Sequence, residues 1–169
     1  VTVTAVRVLV IEDDEAIRSV VERGLRAEGF EVDTCGDGNE GLSKALDGGY
    51  SAIVLDLLLP GLNGYTVCSQ LRAEGDTTPI LVLSAKAGDY DQIDLLDSGA
   101  DDFVTKPASI AVIAARLRVL IRRKSSMSSN ELTRGALHYD LGLRECRIGD
   151  VAVTLTNRED QLLRRLLLA

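Results

Sequence analysis

Apolar positions along the first 122 residues follow two alternating rhythms. Short β-branched runs, RVLVI (7–11), EVDTC (31–35), AIVLD (52–56), ILVLS (80–84) and FVT (103–105), predict strands. Between them, segments 15–28, 38–47, 64–73, 89–97 and 109–122 place apolar residues at helical spacing, as in Ile17, Val20, Val21 and Leu25. Gly29 stands where a left-handed residue closes the first helix, and Gly48-Gly49, Gly75 and Gly99 punctuate the later ones. Five βα units in a row predict an α/β class, with a parallel sheet wrapped by helices.

After residue 124 the grammar changes. SSMSSN (125–130) is small and polar and predicts a flexible linker. Beyond it ALHYD (136–140), ECRI (145–148) and VAVTL (151–155) predict short antiparallel strands, with Gly149-Asp150 suited to a two-residue hairpin. Thr156 and Glu159 form a capping box that starts a final helix, whose Leu162, Leu163, Leu166 and Leu167 make an apolar stripe. That stripe is expected to be core in a longer parent and exposed in a chain that stops at Ala169. A length of 169 residues holds one ordinary domain and a smaller remainder.

Composition narrows the function. Apolar content of 46% and charged content of 27% fit a globular protein without a membrane span, and VTVTAVRVLVI lacks the basic region and cleavage site of a secretory signal. The expected location is the cytoplasm. Cys35, Cys68 and Cys146 are scattered, and one histidine, His138, is too little for a zinc site. A net charge of −7 disfavours nonspecific attraction to nucleic acid over the whole surface. Arginines nevertheless gather in RLRVLIRRK (116–124), as a solvated helix face or a pairing surface.

In IVLDLLLPG (53–61) one aspartate interrupts an apolar run, an expensive place for a charge unless it terminates a strand. Ligands of open parallel sheets bind beyond the carboxyl ends of the strands. There the sequence puts Glu12, Asp13 and Asp14 after the first strand, Asp56 at the end of the third, Ser84 at the end of the fourth, and Lys106-Pro107 after the fifth. Carboxylates crowded together repel unless a cation intervenes, and an all-oxygen donor set selects a hard ion, Mg2+. A carboxylate kept ionised beside Mg2+ and an ammonium is a candidate nucleophile toward phosphorus. Asp14 is expected to cap the first helix.

The motifs VLVIEDDEAIR, IVLDLLLPGLNGY, PILVLSAK and GADDFVTKP, in this order and spacing, resemble a two-component response regulator receiver domain over about residues 5–123. The resemblance implies a doubly wound, flavodoxin-like five-stranded sheet. It implies Asp56 as the phosphate-accepting aspartate, and Glu12, Asp13, Asp56 and the Leu58 carbonyl as Mg2+ ligands. Ser84 and Lys106 would bind the phosphoryl group, and Phe103 would be the aromatic that turns inward on activation. The implied partners are a cognate histidine kinase and, after phosphorylation, a second copy of the chain. The implied role is a switch rather than an enzyme. Residues 131–169, after a linker at 124–130, are similar to the start of the winged-helix output domain of OmpR/PhoB-type transcription factors, whose four-stranded sheet and first helix they match. The recognition helix and wing would lie downstream of Ala169, so DNA binding and control of transcription are expected only of a full-length parent.

The same resemblance implies a dimer face with Asp97, Asp101 and Asp102 as acidic members and Arg116, Arg118 and Arg123 as basic ones. Gln92 and Val112 stand where that family usually has a charged pair, so one salt bridge is missing. Ala108 replaces the common aromatic after Lys-Pro, Leu95 a usual glycine and Ser51 a usual aspartate. Two rival readings remain open. One is a phosphohydrolase with an aspartyl-phosphate intermediate, for which Leu58 stands where a second acid is usual. The other is a receiver-like interaction module that takes no phosphate.

Overall fold

The computed structural model describes residues 6–85, 89–129, 131–140 and 145–168, which form two compact units divided between Ile121 and Arg122. Strands β1 (Arg7–Ile11), β2 (Glu31–Cys35), β3 (Ala52–Asp56), β4 (Ile80–Ser84) and β5 (Asp102–Thr105) alternate with helices α1 (Glu15–Ala27), α2 (Gly38–Asp47), α3 (Gly64–Ala73), α4 (Asp89–Asp97) and α5 (Ile110–Ser129), and the boundary between the units falls within α5. The strands make one sheet in the order β2-β1-β3-β4-β5, every neighbouring pair parallel.

Side-chain alternation builds a core on each face of that sheet. Val8 and Val10 of β1 pack with Val21 and Leu25 of α1 and Ile113 and Leu117 of α5. Leu9 and Ile11 pack on the opposite face with Ala45 of α2, Val67 and Leu71 of α3 and Leu95 of α4. Burial on both sides explains why the central strands read as continuous apolar runs. Leu9, Ile11, Ile53, Leu55, Ile80 and Leu81 are fully buried, each contributing about 1.5–3 kcal/mol relative to exposure.

Helix starts follow local chemistry. Asp14, Asp37 and Asn63 cap α1, α2 and α3, each accepting backbone N–H bonds from the first turn. Gly29, at φ +96°, turns the chain out of α1 as its position predicted.

The largest departure from the sequence pattern is α5. It continues to Ser129, so residues 125–129 of the expected flexible linker are helical. Physically, RRKSSMSS holds neither Gly nor Pro, and Ser costs only about 0.5 kcal/mol per residue relative to Ala. A helix anchored by Ile113, Leu117 and Leu120 can run through it. Asn130 lies outside the described residues.

The second unit holds an antiparallel sheet in the order β6 (Glu131–Arg134), β7 (Leu137–Asp140), β8 (Glu145–Ile148), β9 (Val151–Val153), followed by α6 (Asn157–Leu168). Ile148 faces Val151 across Gly149-Asp150, with Gly149 at φ +59°, so the two-residue hairpin forms as patterned. The strand expected to reach Leu155 stops at Val153, where its pairing with Cys146 ends. The capping box closes: Thr156 N donates to Glu159 Oε2 at 2.7 Å and Glu159 N to Thr156 Oγ1 at 3.4 Å. The leucine stripe is divided, Leu163 and Leu167 half-buried, Leu162 and Leu166 exposed. Tyr139 is fully buried and donates its hydroxyl to the buried carboxylate of Asp160. Among the described residues no helix is long and apolar enough to cross a membrane.

Candidate functional site

β1 and β3 lie side by side, yet the helices that follow them cover opposite faces of the sheet. The crevice between their carboxyl ends is therefore the switch point at which such sheets bind ligands. Glu12 is the first residue past β1, Asp56 the last of β3, Ser84 the last of β4, and Lys106 the first past β5. All four end up at this rim. Glu12, Asp56 and Ser84 are only 2%, 7% and 2% exposed, whereas Asp13 is open to solvent.

Lys106 Nζ lies 2.7 Å from Glu12 Oε2 and 3.4 Å from Asp56 Oδ2, joining the two buried carboxylates through one ammonium. Burial pushes the Glu12 carboxyl above its usual range, and the charge of Asp56 adds to this, while the Lys106 bond opposes it. For Lys106 burial acts to lower the pKa, but the Glu12 hydrogen bond and the two carboxylate charges outweigh it, and the net direction is up. The ammonium is thus held firmly charged.

One carboxylate oxygen each from Glu12, Asp13 and Asp56 comes within 4.8 Å of the others. Three oxygens that close can reach one hard cation by side-chain movement alone. An oxygen-only set with one solvent-facing member also leaves room for the water ligands that Mg2+ retains. The residues therefore fit the ion. Asp14 is not in this group: its carboxylate accepts from Ile17 N at 3.0 Å as the α1 cap.

A cavity of about 80 Å3 opens beside Asp56, lined also by Leu58, Tyr65, Ser84 and Lys106. Tyr65 escaped the sequence reading because it sits in the first turn of α3, two residues past the cap, and not at a strand end. Phe103 is half-buried on β5 and packs with the α2–α4 side of the core, outside the cavity lining. Gly64 touches the acceptor strand so closely that a Cβ there would lie 2.5 Å from Asp56 O and 2.7 Å from Leu57 Cα. Backbone cannot yield as a side chain does, so Gly64→Ala is expected to lower the urea midpoint by the equivalent of about 1–3 kcal/mol.

The charged residues assigned to a dimer face are mostly engaged within the chain. Asp101 Oδ2 takes Arg72 at 2.8 Å and the Ile80 N–H at 2.8 Å. Asp102 pairs with Arg116 at 2.8 Å. Arg118 reaches Glu28 at the end of α1 at 2.6 Å and lies over the Phe30 ring, so the structure does not bring it to the acidic members. Asp97 and Arg123 are exposed. The side chain of Gln92 lies outside the described residues, and Val112 is exposed.

Fold and crevice together define a flavodoxin-like α/β domain with an acidic site at its switch point. Residues 8–118 match the response regulator receiver domain, and the chain belongs to the two-component response regulator family. It is 43% identical over 164 residues to the transcriptional regulatory protein PrrA of Mycobacterium tuberculosis, covering 95% of this chain and 70% of that protein. Among solved structures it is similar to the receiver domain of the sensor histidine kinase PA1611 from Pseudomonas aeruginosa, which has a magnesium ion coordinated in its active site cleft. That match has a TM-score of 0.65 at 32% identity and covers 70% of this chain and 98% of that one. DrrB of Thermotoga maritima, an OmpR/PhoB homolog, shares the fold at TM-score 0.65 and 24% identity, over 96% of this chain and 72% of that one.

Proposed function

We propose that Asp56 accepts a phosphoryl group from the phosphohistidine of a partner kinase, with Mg2+ as cofactor, and that the modification drives pairing of two copies. The observation that carries this reading is the single ammonium of Lys106 shared between Glu12 and Asp56, beside three carboxylates whose oxygens lie within 4.8 Å.

One Asp56 Oδ attacks phosphorus. An O–P bond forms as the P–N bond of the donor imidazole breaks, and the electron pair returns to the ring nitrogen. Glu12, Asp13, Asp56 and the Leu58 carbonyl are the proposed metal ligands. Bound there, Mg2+ supplies neutralising charge to the carboxylates and the incoming oxygens. Lys106 already lies within 3.4 Å of Asp56, so a short swing from Glu12 carries its ammonium to a new anion there. Ser84 lines the same cavity and offers a hydroxyl donor to a phosphoryl oxygen. At about 80 Å3 the cavity is far below the roughly 300 Å3 of a drug-sized site, which suits a phosphoryl group and not a nucleotide. The magnesium in the PA1611 receiver supports the same assignment.

Phe103 sits on β5 opposite Val82, two residues before Ser84, a position from which movement at Ser84 reaches it through the shared ladder. The proposed output face joins α4, β5 and α5. Ile93, Leu96 and Val112 are exposed on these elements, which also carry Asp97, Asp102, Arg116 and Arg123, with Asp101 just before β5, while Arg118 would have to leave Glu28 to join them. Exposed ion pairs such as Asp102–Arg116 are worth only about 0–1 kcal/mol, so they exchange partners at little cost. Control of transcription belongs to the same reading, since the relative PrrA is named a transcriptional regulatory protein.

The test is direct. Incubation with a small acyl phosphate should add one phosphoryl group by mass in the presence of Mg2+ and essentially none in EDTA, and the adduct should be released by hydroxylamine. Mass gain independent of divalent ions would remove the metal from the scheme.

A further inference from the structure

We infer that Arg18 is a positioning residue for the metal-binding turn: its guanidinium, seated over Gly36, clamps the main chain of Glu12 and Asp13. The inference rests on the reading of Glu12 and Asp13 as metal ligands given above.

Arg18 Nη1 donates to the carbonyl oxygen of Glu12 at 2.8 Å and to that of Asp13 at 3.3 Å. Neither residue's carboxylate takes part, so both side chains stay free to face the crevice. Among the described residues, the other bonds of the β1–α1 turn go to different acceptors. Glu12 N donates to Cys35 O at 3.0 Å, and Asp14 N donates to Glu12 Oε1 at 3.2 Å. Carbonyls just past a strand end have no ladder partner, and a planar guanidinium with several fixed donors can serve two of them at once.

Gly36 makes the seat. A Cβ on it would lie 2.9 Å from Arg18 Nη1 and 3.7 Å from Glu12 O. Any side chain at position 36 therefore pushes the guanidinium away from the carbonyls it serves. Arg18 comes from α1 and Gly36 from the β2–α2 turn, so a helix and a loop at this rim converge on the backbone of the acidic pair. The clamp thus acts before the ion arrives, by keeping two of its ligands in register. Outer groups that orient ligands typically change metal affinity about 10–100-fold when removed.

The sequence carried only a faint trace of this. Arg18 is an arginine five positions past Asp13 in an amphipathic helix, and its partners are carbonyls, which no residue pattern displays.

The experiment measures Mg2+ binding to the unphosphorylated chain by calorimetry, in wild type, Arg18→Ala, Arg18→Lys, Gly36→Ala and Asp13→Asn. Arg18→Ala should weaken binding about tenfold, and Arg18→Lys, with a point charge in place of a fork, should fall between it and wild type. Gly36→Ala keeps the arginine but displaces it, and should weaken binding to a similar extent with an unchanged melting temperature. Phosphorylation rates at saturating Mg2+ should be near wild type in all three, so the defect appears in the metal dependence and not in the maximum. Full affinity in folded Arg18→Ala and Gly36→Ala, alongside weakened binding in Asp13→Asn, overturns the clamp and leaves the metal site intact. Absence of saturable binding in wild type, or undiminished binding in Asp13→Asn, overturns the metal reading itself and the clamp with it.

Discussion

Asp56→Asn is expected to abolish phosphoryl uptake altogether while leaving the fold in place. The amide matches the carboxylate in shape, so no cavity opens in a position only 7% exposed at the end of β3. What changes is nucleophilicity: an amide oxygen is neutral and does not form an acyl phosphate. The substitution also removes the negative charge that acts to raise the Glu12 carboxyl. Lys106 keeps its 2.7 Å partner, so the ammonium is not orphaned. Circular dichroism should be unchanged and the melting temperature equal or higher. Intact mass after treatment with an acyl phosphate and Mg2+ decides the matter. A mass gain equal to wild type's would move the acceptor elsewhere, and no neighbouring carboxylate is as well placed, because Glu12 is bound to Lys106 and Asp13 is exposed.

Most of the first unit was legible because each of its elements has a local cause. RVLVI, AIVLD and ILVLS each hold four consecutive apolar residues because both sheet faces are covered, and they begin and end where the pattern puts them. Asp14 and Gly29 mark the ends of α1 through cap chemistry. The rim of acids, Ser84 and Lys106 was legible for a topological reason, namely that strand ends of a parallel sheet share one edge. What stayed hidden depends on distance across the fold. Residues 125–129 look like a linker by composition, yet a helix anchored upstream continues through them. Arg118 belongs to a basic run that suggests an intermolecular partner, while its nearest carboxylate is Glu28, 90 positions away. Tyr65 reaches the cavity from a helix turn. Asp160 is buried on α6, which the Tyr139 hydroxyl makes tolerable, and no local pattern shows that pairing.

Lys106→Met should produce the largest loss of stability of any substitution at the rim, and its size should depend on pH and on Mg2+. Methionine fills much the same space, so packing is nearly preserved, and the change isolates the ammonium. Without it Glu12 and Asp56, both buried, face each other with no intervening cation. Removing one partner of a buried ion pair typically costs about 3–5 kcal/mol. The sign with pH follows from Glu12. Burial raises its folded pKa above the unfolded value, so the folded chain binds a proton more tightly and is favoured by acid. Stability falls as pH rises from the unfolded pKa through the folded one. In wild type the Lys106 bond and charge oppose that shift. In the variant they are gone, the Glu12 carboxyl moves further up, and the loss of stability widens with pH until Glu12 is fully ionised. The raised pKa of Lys106 itself adds a wild-type contribution that is complete below its unfolded value and is lost only as pH rises through the folded one, so it is present across the whole neutral range. Urea unfolding of both proteins from pH 5 to 8 should therefore show curves that diverge toward alkaline pH. Millimolar Mg2+ should draw them together at pH 8, because an ion held by the carboxylates replaces the missing positive charge and binds only the folded chain. A constant gap across that range, unaffected by the metal, would mean that the ammonium is a surface charge with no hold on the acidic site.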